Sequence, residues 1–322
     1  QDWSARVLAA IGLDPGQLPR IVEGNAVSGT LLPEVASRLG LPWDVIVAGG
    51  AGDCAAGAIG AGVIFDGSAL LSLGTGALLF VPTRVYRPAP DRLIHSFRHA
   101  LPGLWFQMAA MLNGGSALVW AASLAGKTPA EQADAVAARY SGPGETIFLP
   151  YLTGERTPHN DPFARGVLFG LTPQTDGIAL AQAAMEGVAF SFADAKDALE
   201  SSGIRLPAVG ILGGGGKSRL WTRIIAAVME RPVIRYQGGE TGPAFGAARL
   251  ARLAYTGEPP EAVCAPPEIL ETIEPEAALS RAYAPTLARF RALYPLLRET
   301  FIPGGTAAPP PGHKEGSCPT SA

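Results

Sequence analysis

Apolar and polar positions change their period several times along the chain, and each change marks an element. WSARVLAAIGL repeats its apolar residues at helical spacing, Pro15 and Pro19 interrupt it, and LLPEVASRLG is a second short helix closed by Gly40 as a C′ glycine. DVIVAGG is a continuous apolar run, predicted as a buried strand that empties into glycines. CAAGAIGAG behind it is an alanine-rich helix in which Gly57, Gly60 and Gly62 permit close packing. From Ser68 the period becomes two, so that ALLSLGTGALLFV predicts two strands joined by a turn at Gly74-Thr75-Gly76. LWFQMAAM and TIFLPYL predict further strands, GGSALVWAASLAG a helix, and Thr153 to Pro162 a polar loop bearing prolines. An amphipathic helix is predicted from Asp176 to Ser202, with Ile178, Met185, Val188, Phe192 and Leu199 on one face and Gly203 ending it. AVGILGGGGKS repeats the strand-into-glycines arrangement, SRLWTRIIAAVME is a helix, VIRY a strand, and GPAFGAARLARLAYTG a helix with small residues at its start. The sum is a mixed α/β protein.

Composition narrows the class. A chain of 322 residues, 48% hydrophobic and 16% charged, carries enough apolar surface for one large domain or two ordinary ones. A net charge of -3 supplies no field for nucleic acid or an anionic membrane, which favours a small-molecule partner. No apolar run approaches the roughly 20 residues that cross a bilayer, and the start lacks a basic n-region, so the expected compartment is the cytoplasm. Cys54, Cys264 and Cys318 lie far apart with no CxxC pair, against a disulfide framework or a zinc site. His95 and His99 flank Phe97 in an extended run and are not read as a metal pair. The opening at Gln1, inside a helix-forming stretch, reads as a piece of a longer protein. TAAPPPGHKEGSCPTSA reads as a disordered tail.

Three glycine loops carry the candidate chemistry. The first, GGAGDCAAG, formally meets the dinucleotide fingerprint, yet Asp53 places a carboxylate where a pyrophosphate would sit. The acid that such a site needs about 20 residues further on is also missing, since that region reads LLSLGTG. The same carboxylate suits phosphoryl transfer, where a base must reach the attacking hydroxyl. Asp53 is equally suited to N-cap the following helix, and the two roles are compatible. In the second loop, Gly74, Thr75 and Gly76 can cradle phosphate oxygens with successive N–H groups and a hydroxyl, or form an ordinary turn. The third runs from Gly213 to Gly216 into Lys217 and Ser218, and it is not a Walker A motif because Ile211 stands where that pattern needs glycine. Four successive glycines cost backbone entropy, about 1 kcal/mol each relative to alanine, which points to a ligand that needs backbone access, such as an adenosine with its phosphates.

VAGGAGDCAAGAIGAG, FLPYLTGERTPHNDPFARGVLFGLT and ILGGGGKSRLW followed by ETGPAFGAARLA resemble, in order and spacing, the FGGY family of carbohydrate kinases, its xylulose-phosphorylating members in particular. The likeness runs from about Asp2 to about Leu297. It implies an actin-like, ribonuclease-H-like fold of two α/β domains with ATP and sugar meeting between them. Residues 1–66 would then be the end of the sugar-side domain, 67–301 the nucleotide-side domain and 302–322 the tail. By the resemblance Asp53 is the catalytic base, and Asp53 and Cys54 face the substrate. Gly74, Thr75 and Gly76 form the second phosphate loop, while Gly214, Gly215 and Ser218 lie along the adenosine pocket; Gly213 and Lys217 of the same glycine loop are read with them as nucleotide-binding. Glu155, Arg156, Thr157, His159, Asn160 and Asp161 are expected to act structurally, through internal salt bridges and turn hydrogen bonds.

Two departures follow. The family's xylulose-phosphorylating members usually carry asparagine where this chain has Cys54, a poor hydrogen-bond partner for a sugar. Its N-terminal half, with the first phosphate loop, most sugar contacts and the main Mg²⁺ contacts, has no counterpart here. The implied activity is ATP-dependent phosphorylation of a sugar primary hydroxyl, O5 if the sugar is D-xylulose, with the piece inactive alone and a homodimer left open. The alternatives are a kinase of another ketose or polyol and a non-catalytic sugar- or nucleotide-sensing module.

Overall fold

A computed structural model of the chain describes residues 2–237 and 242–302. Apart from Ile302, the expected tail at 302–322, with Cys318, lies outside the described residues, as do Glu240 and Thr241.

The chain begins with α1 (Ala5–Ile11), N-capped by the Ser4 hydroxyl, then β1 (Val27–Thr30), α2 (Pro33–Leu39) and β2 (Ile46–Ala48). Gly40 closes α2 at φ 66°, the left-handed geometry for which glycine carries no Cβ penalty. β2 pairs with β1 alone, antiparallel, and its residues are exposed or half-buried. The expectation that DVIVAGG is buried is therefore corrected. A short apolar run does not reveal whether a second layer covers it.

Next come α3 (Asp53–Gly60), β3 (Leu70–Leu73), β4 (Ala77–Thr83), β5 (His95–Arg98), β6 (Trp105–Met111), α4 (Gly115–Leu124) and α5 (Pro129–Arg139). They are followed by β7 (Ile147–Leu149), β8 (Val167–Phe169), α6 (Gly177–Ser201), β9 (Val209–Leu212) and α7 (Arg219–Met229). The chain continues through β10 (Val233–Tyr236), α8 (Pro243–Thr256), α9 (Pro260–Val263), β11 (Ile269–Ile273) and α10 (Ala277–Leu297). A seven-stranded sheet orders these strands β11-β10-β9-β3-β4-β6-β5. The meander β3-β4-β6 is antiparallel, whereas β9 lies parallel to β3 and β10 parallel to β9.

Period two divides the core between the two faces of this sheet. Leu71, Leu73, Leu79, Val81 and Met111 face α4, α6, α7 and α10, while Leu70, Phe80, Phe106 and Leu212 face α3 and α8. The predicted single apolar face of α6 is too narrow, because the helix is buried around most of its girth from Ala181 to Leu199. It lies between the sheet and α4, α5 and α7, so small alanines fill positions that an outer helix would give to charges. The indole N–H of Trp221 on α7 donates to the Met185 carbonyl of α6 at 2.8 Å, which joins the two helices.

Of the close approaches expected at Gly57, Gly60 and Gly62, that at Gly62 is made and that at Gly57 is not, while the tightest contact belongs to the neighbouring helix α8. A Cβ on Gly246 of α8 would fall onto the Ala56 carbonyl oxygen, and one on Gly62 would meet Pro266, whereas Gly57 faces open space. Arg249 of α8 donates through Nη1 to the Ile59 and Gly60 carbonyls, both at 2.9 Å, and so occupies the C-terminal end of α3.

Candidate active site

The glycines before α3 build the first cleft. Gly49 donates to the Ala26 carbonyl and Gly50 to the Gly24 carbonyl, both at 2.9 Å. A Cβ on Gly24 or Gly49 would strike backbone oxygens across this contact. The N-cap of α3 is Gly52, and Asp53 is its first helical residue, which corrects the expectation that Asp53 is the cap. Its Oδ1 accepts from the Cys54 N–H at 2.8 Å, and the carboxylate sits in the positive end of the helix. Asp53 and Cys54 line a cleft of about 880 Å³ between the 21–24 segment and β5-β6. Two other carboxylates line it: Glu23 is ion-paired with Arg98 at 3.5 Å, and Asp2 accepts from the Trp3 N–H. His99, also on the wall, is buried, and that burial lowers its pKa to about 4, so it is neutral. Burial, and then the charge of Asp53 beside it, push the Cys54 thiol up to about 11.

A second cleft of about 790 Å³ gathers Gly74, Thr75, Gly214, Gly215, Lys217 and Ser218, six of the ten residues singled out by sequence. Gly76 and Gly213 stand behind its wall. A Cβ on Gly76 would press on the Met111 carbonyl, and Gly213, at φ 95°, lies against the Leu73 carbonyl, where a side chain would not fit. Ser218 also N-caps α7, its Oγ accepting from the Trp221 N–H at 3.3 Å. Arg235 of β10 donates to the Gly216 carbonyl at 3.0 Å and the Lys217 carbonyl at 2.9 Å, tying the third glycine loop to the sheet.

The opposite wall comes from α4 and α5 through Gly115, Ser116, Val119, Thr128, Ala130 and Asp134, none of which sequence reasoning had chosen. The signal was present in part, because NGGSA after β6 is a fourth strand-into-glycines junction. The Oγ of Ser116 is buried without a hydrogen-bond partner and lines this cleft, and Gly214 has open space at its Cβ position. Bare backbone, an unpartnered hydroxyl and apolar walls fit an adenine nucleotide. Among the described residues no group of three or more His, Cys, Asp or Glu could hold a metal ion.

The loop 153–162 enters neither cleft. Glu155 accepts from the Leu112 and Arg156 N–H groups, and Asp161 from the Phe163 and Ala164 N–H groups and the Tyr294 hydroxyl. His159 stacks on Tyr294 at 3.6 Å between ring centroids and lies 3.1 Å from the Tyr151 hydroxyl. Turn and backbone hydrogen bonds and ring stacking hold the loop; the salt bridges expected within it are not formed among the described residues, because backbone N–H groups take up both carboxylates.

The family model for the C-terminal domain of the FGGY family of carbohydrate kinases matches residues 69–255, and that for the N-terminal domain matches residues 1–60. The chain belongs to the FGGY family. Among its relatives, the xylulose kinase of Escherichia coli (strain K12) is 42% identical over 302 residues, which cover 94% of this chain and 60% of that protein. The xylulose kinase of Klebsiella pneumoniae is 44% identical over 260 residues, 80% of this chain and 53% of that protein. The crystal structure of a xyloylose kinase from Brucella ovis superposes with a TM-score of 0.87 at 44% identity, covering 92% of this chain and 61% of that one. The chain thus spans between half and three fifths of the length of these FGGY relatives, and it shares their actin-like architecture.

Proposed function

We propose that this chain supplies the catalytic base and most of the nucleotide pocket of an ATP-dependent sugar kinase that converts D-xylulose to D-xylulose 5-phosphate. The observation that carries this reading is the division of labour between the clefts. A carboxylate heads a helix in one, and backbone glycines with apolar walls form the other. The activity named for the relatives of E. coli and K. pneumoniae supports the sugar. The division into residues 1–66 and 67–301 belongs to the same proposal, as does a cytoplasmic location. Among the described residues no helix is long and apolar enough to cross a membrane.

In this mechanism Asp53 accepts the proton of the primary hydroxyl as its oxygen attacks the γ-phosphorus in line. The turn at Gly74 and Thr75 and the loop from Gly214 to Ser218 hold the nucleotide, and Lys217 brings positive charge to the same wall. A divalent cation would neutralise phosphate charge when bound.

A coupled assay of ADP release across a panel of ketoses and polyols, on a polypeptide that carries the complete FGGY architecture, tests the reading. Turnover is expected with D-xylulose, and Asp53→Ala should lower it by about 10²–10⁴-fold while ATP binding stays near that of the parent. More than a few percent of turnover left in the variant, or a strong preference for another sugar, would refute the corresponding half.

A further inference from the structure

β5 accompanies β6 only as far as the His95–Met108 pair. Beyond that point no strand among the described residues pairs with the outer edge of β6, and the loop 153–162 takes that place. Thr157 N–H donates to the Ala110 carbonyl at 3.0 Å, Ala110 N–H to Thr157 Oγ1 at 3.2 Å, and Leu112 N–H to Glu155 Oε1 at 2.8 Å. One residue further, Asn113 Nδ2 donates to the Gly154 carbonyl at 2.9 Å, and Asn113 Oδ1 accepts from Thr153 Oγ1 at 3.3 Å. Gly114 then donates to the Thr75 carbonyl at 3.0 Å, Gly115 to the Gly74 carbonyl at 2.7 Å and Ser116 to the Thr75 carbonyl at 3.1 Å. Each residue from Leu112 to Ser116 is therefore hydrogen-bonded, the first two to the loop and the next three to the turn that walls the second cleft, and the backbone of 112–114 joins the two sets.

Glu155 and Asn113 are 2% and 1% exposed and touch neither cleft. Glu155 is costly where it stands, because its Oε2 is buried with no partner and burial raises its pKa to about 7. What it returns is acceptance of two amide N–H groups, one of them at the joint between β6 and α4.

We propose that Glu155 and Asn113 are positioning residues for the nucleotide, holding Leu112–Gly115 so that Gly115 and Ser116 pin the Gly74-Thr75 turn in its phosphate-binding shape. The proposal rests on the reading of the second cleft as the nucleotide pocket. A preset turn binds its anion without first being ordered, so loosening it weakens the complex through a residue that never meets the ligand.

The test is ADP binding to the whole chain by titration calorimetry, with a thermal melt for every protein. Binding by the parent chain is expected, and its absence would overturn the nucleotide pocket itself. Given that binding, Glu155→Leu and Asn113→Leu should weaken ADP about tenfold or more, while Glu155→Gln, which keeps the acceptor at Oε1, should stay within about threefold. If the leucine variants do not melt cooperatively, Thr153→Val against Thr153→Ser decides: valine should weaken ADP about threefold and serine should not. Parental affinity in variants that melt cooperatively, or equal losses in each conservative pair, would overturn the positioning role.

Discussion

A carboxylate and a thiol stand side by side at the head of α3, and each alters the chemistry of the other. The Asp53 carboxylate lines the cleft, and the first turn of the helix favours its negative charge. That charge, added to burial, holds Cys54 as a thiol, since its pKa stands at about 11 against an ordinary 9.0. Alkylation of Cys54 by iodoacetamide near pH 8 should therefore run about a hundredfold slower than that of a free thiol. Asp53→Asn removes the second-largest cause and should speed the reaction, though not to the free rate, because burial remains. Equal rates in the two proteins would separate the thiol from Asp53. Asp53 was legible in the sequence because a carboxylate inside a glycine loop excludes one ligand and suits another. Its place one residue past the cap was not, since cap and first helical position differ only in backbone angles.

At the scale of elements, the position of α3 depends on α8. Gly246 lets the two helices meet backbone to backbone, and Arg249 reaches across to the last carbonyls of α3. Gly246→Ala would gain helix propensity of about 1 kcal/mol. It would nonetheless lower stability overall by about 1–3 kcal/mol, because the clash is with backbone and can be relieved only by moving a helix apart. Urea unfolding measures the loss, and a variant as stable as the parent would show that α3 and α8 can separate freely. Because α3 carries Asp53, turnover by a polypeptide with the complete FGGY architecture should, on the proposed function, fall as well. The small residues at the start of α8 were visible in GPAFGAARLA, but the partner they make room for lies nearly two hundred residues earlier in the chain. No local period encodes that pairing.

Over the whole molecule, buried ionisable groups pull stability in opposite directions with pH. Burial raises the pKa of Glu186 to about 7 from 4.5, and the carboxyl is held by Gly144 N–H at 3.0 Å, Gln182 Nε2 at 2.8 Å and the Tyr283 hydroxyl at 2.9 Å. The folded state binds this proton more tightly than the unfolded state does. Its contribution is thus fully present below pH 4.5 and is lost as pH rises through about 7. His99 and His159, lowered by burial to about 4, act in the other sense and cost stability as pH falls below 6.5. The difference between the parent and Glu186→Gln isolates the first effect. Relative to the variant, the parent should lose on the order of 3 kcal/mol of unfolding free energy between pH 4.5 and pH 7. A constant difference across that range would show that Glu186 titrates alike in the folded and unfolded chain. The order of residues by itself determined the helices ended by Gly40 and Gly203, the hairpin around Gly74-Thr75-Gly76, and the glycine loops with Asp53 and Ser218, because each is governed by near neighbours and backbone freedom. Only the tertiary structure decided that α6 is enclosed on nearly all sides, that β2 is left half exposed, and that Ser116, Val119 and Ala130 line the second cleft. These are ordinary residues whose surroundings are supplied by distant parts of the chain, and burial depends on what packs above them as well as on what stands beside them.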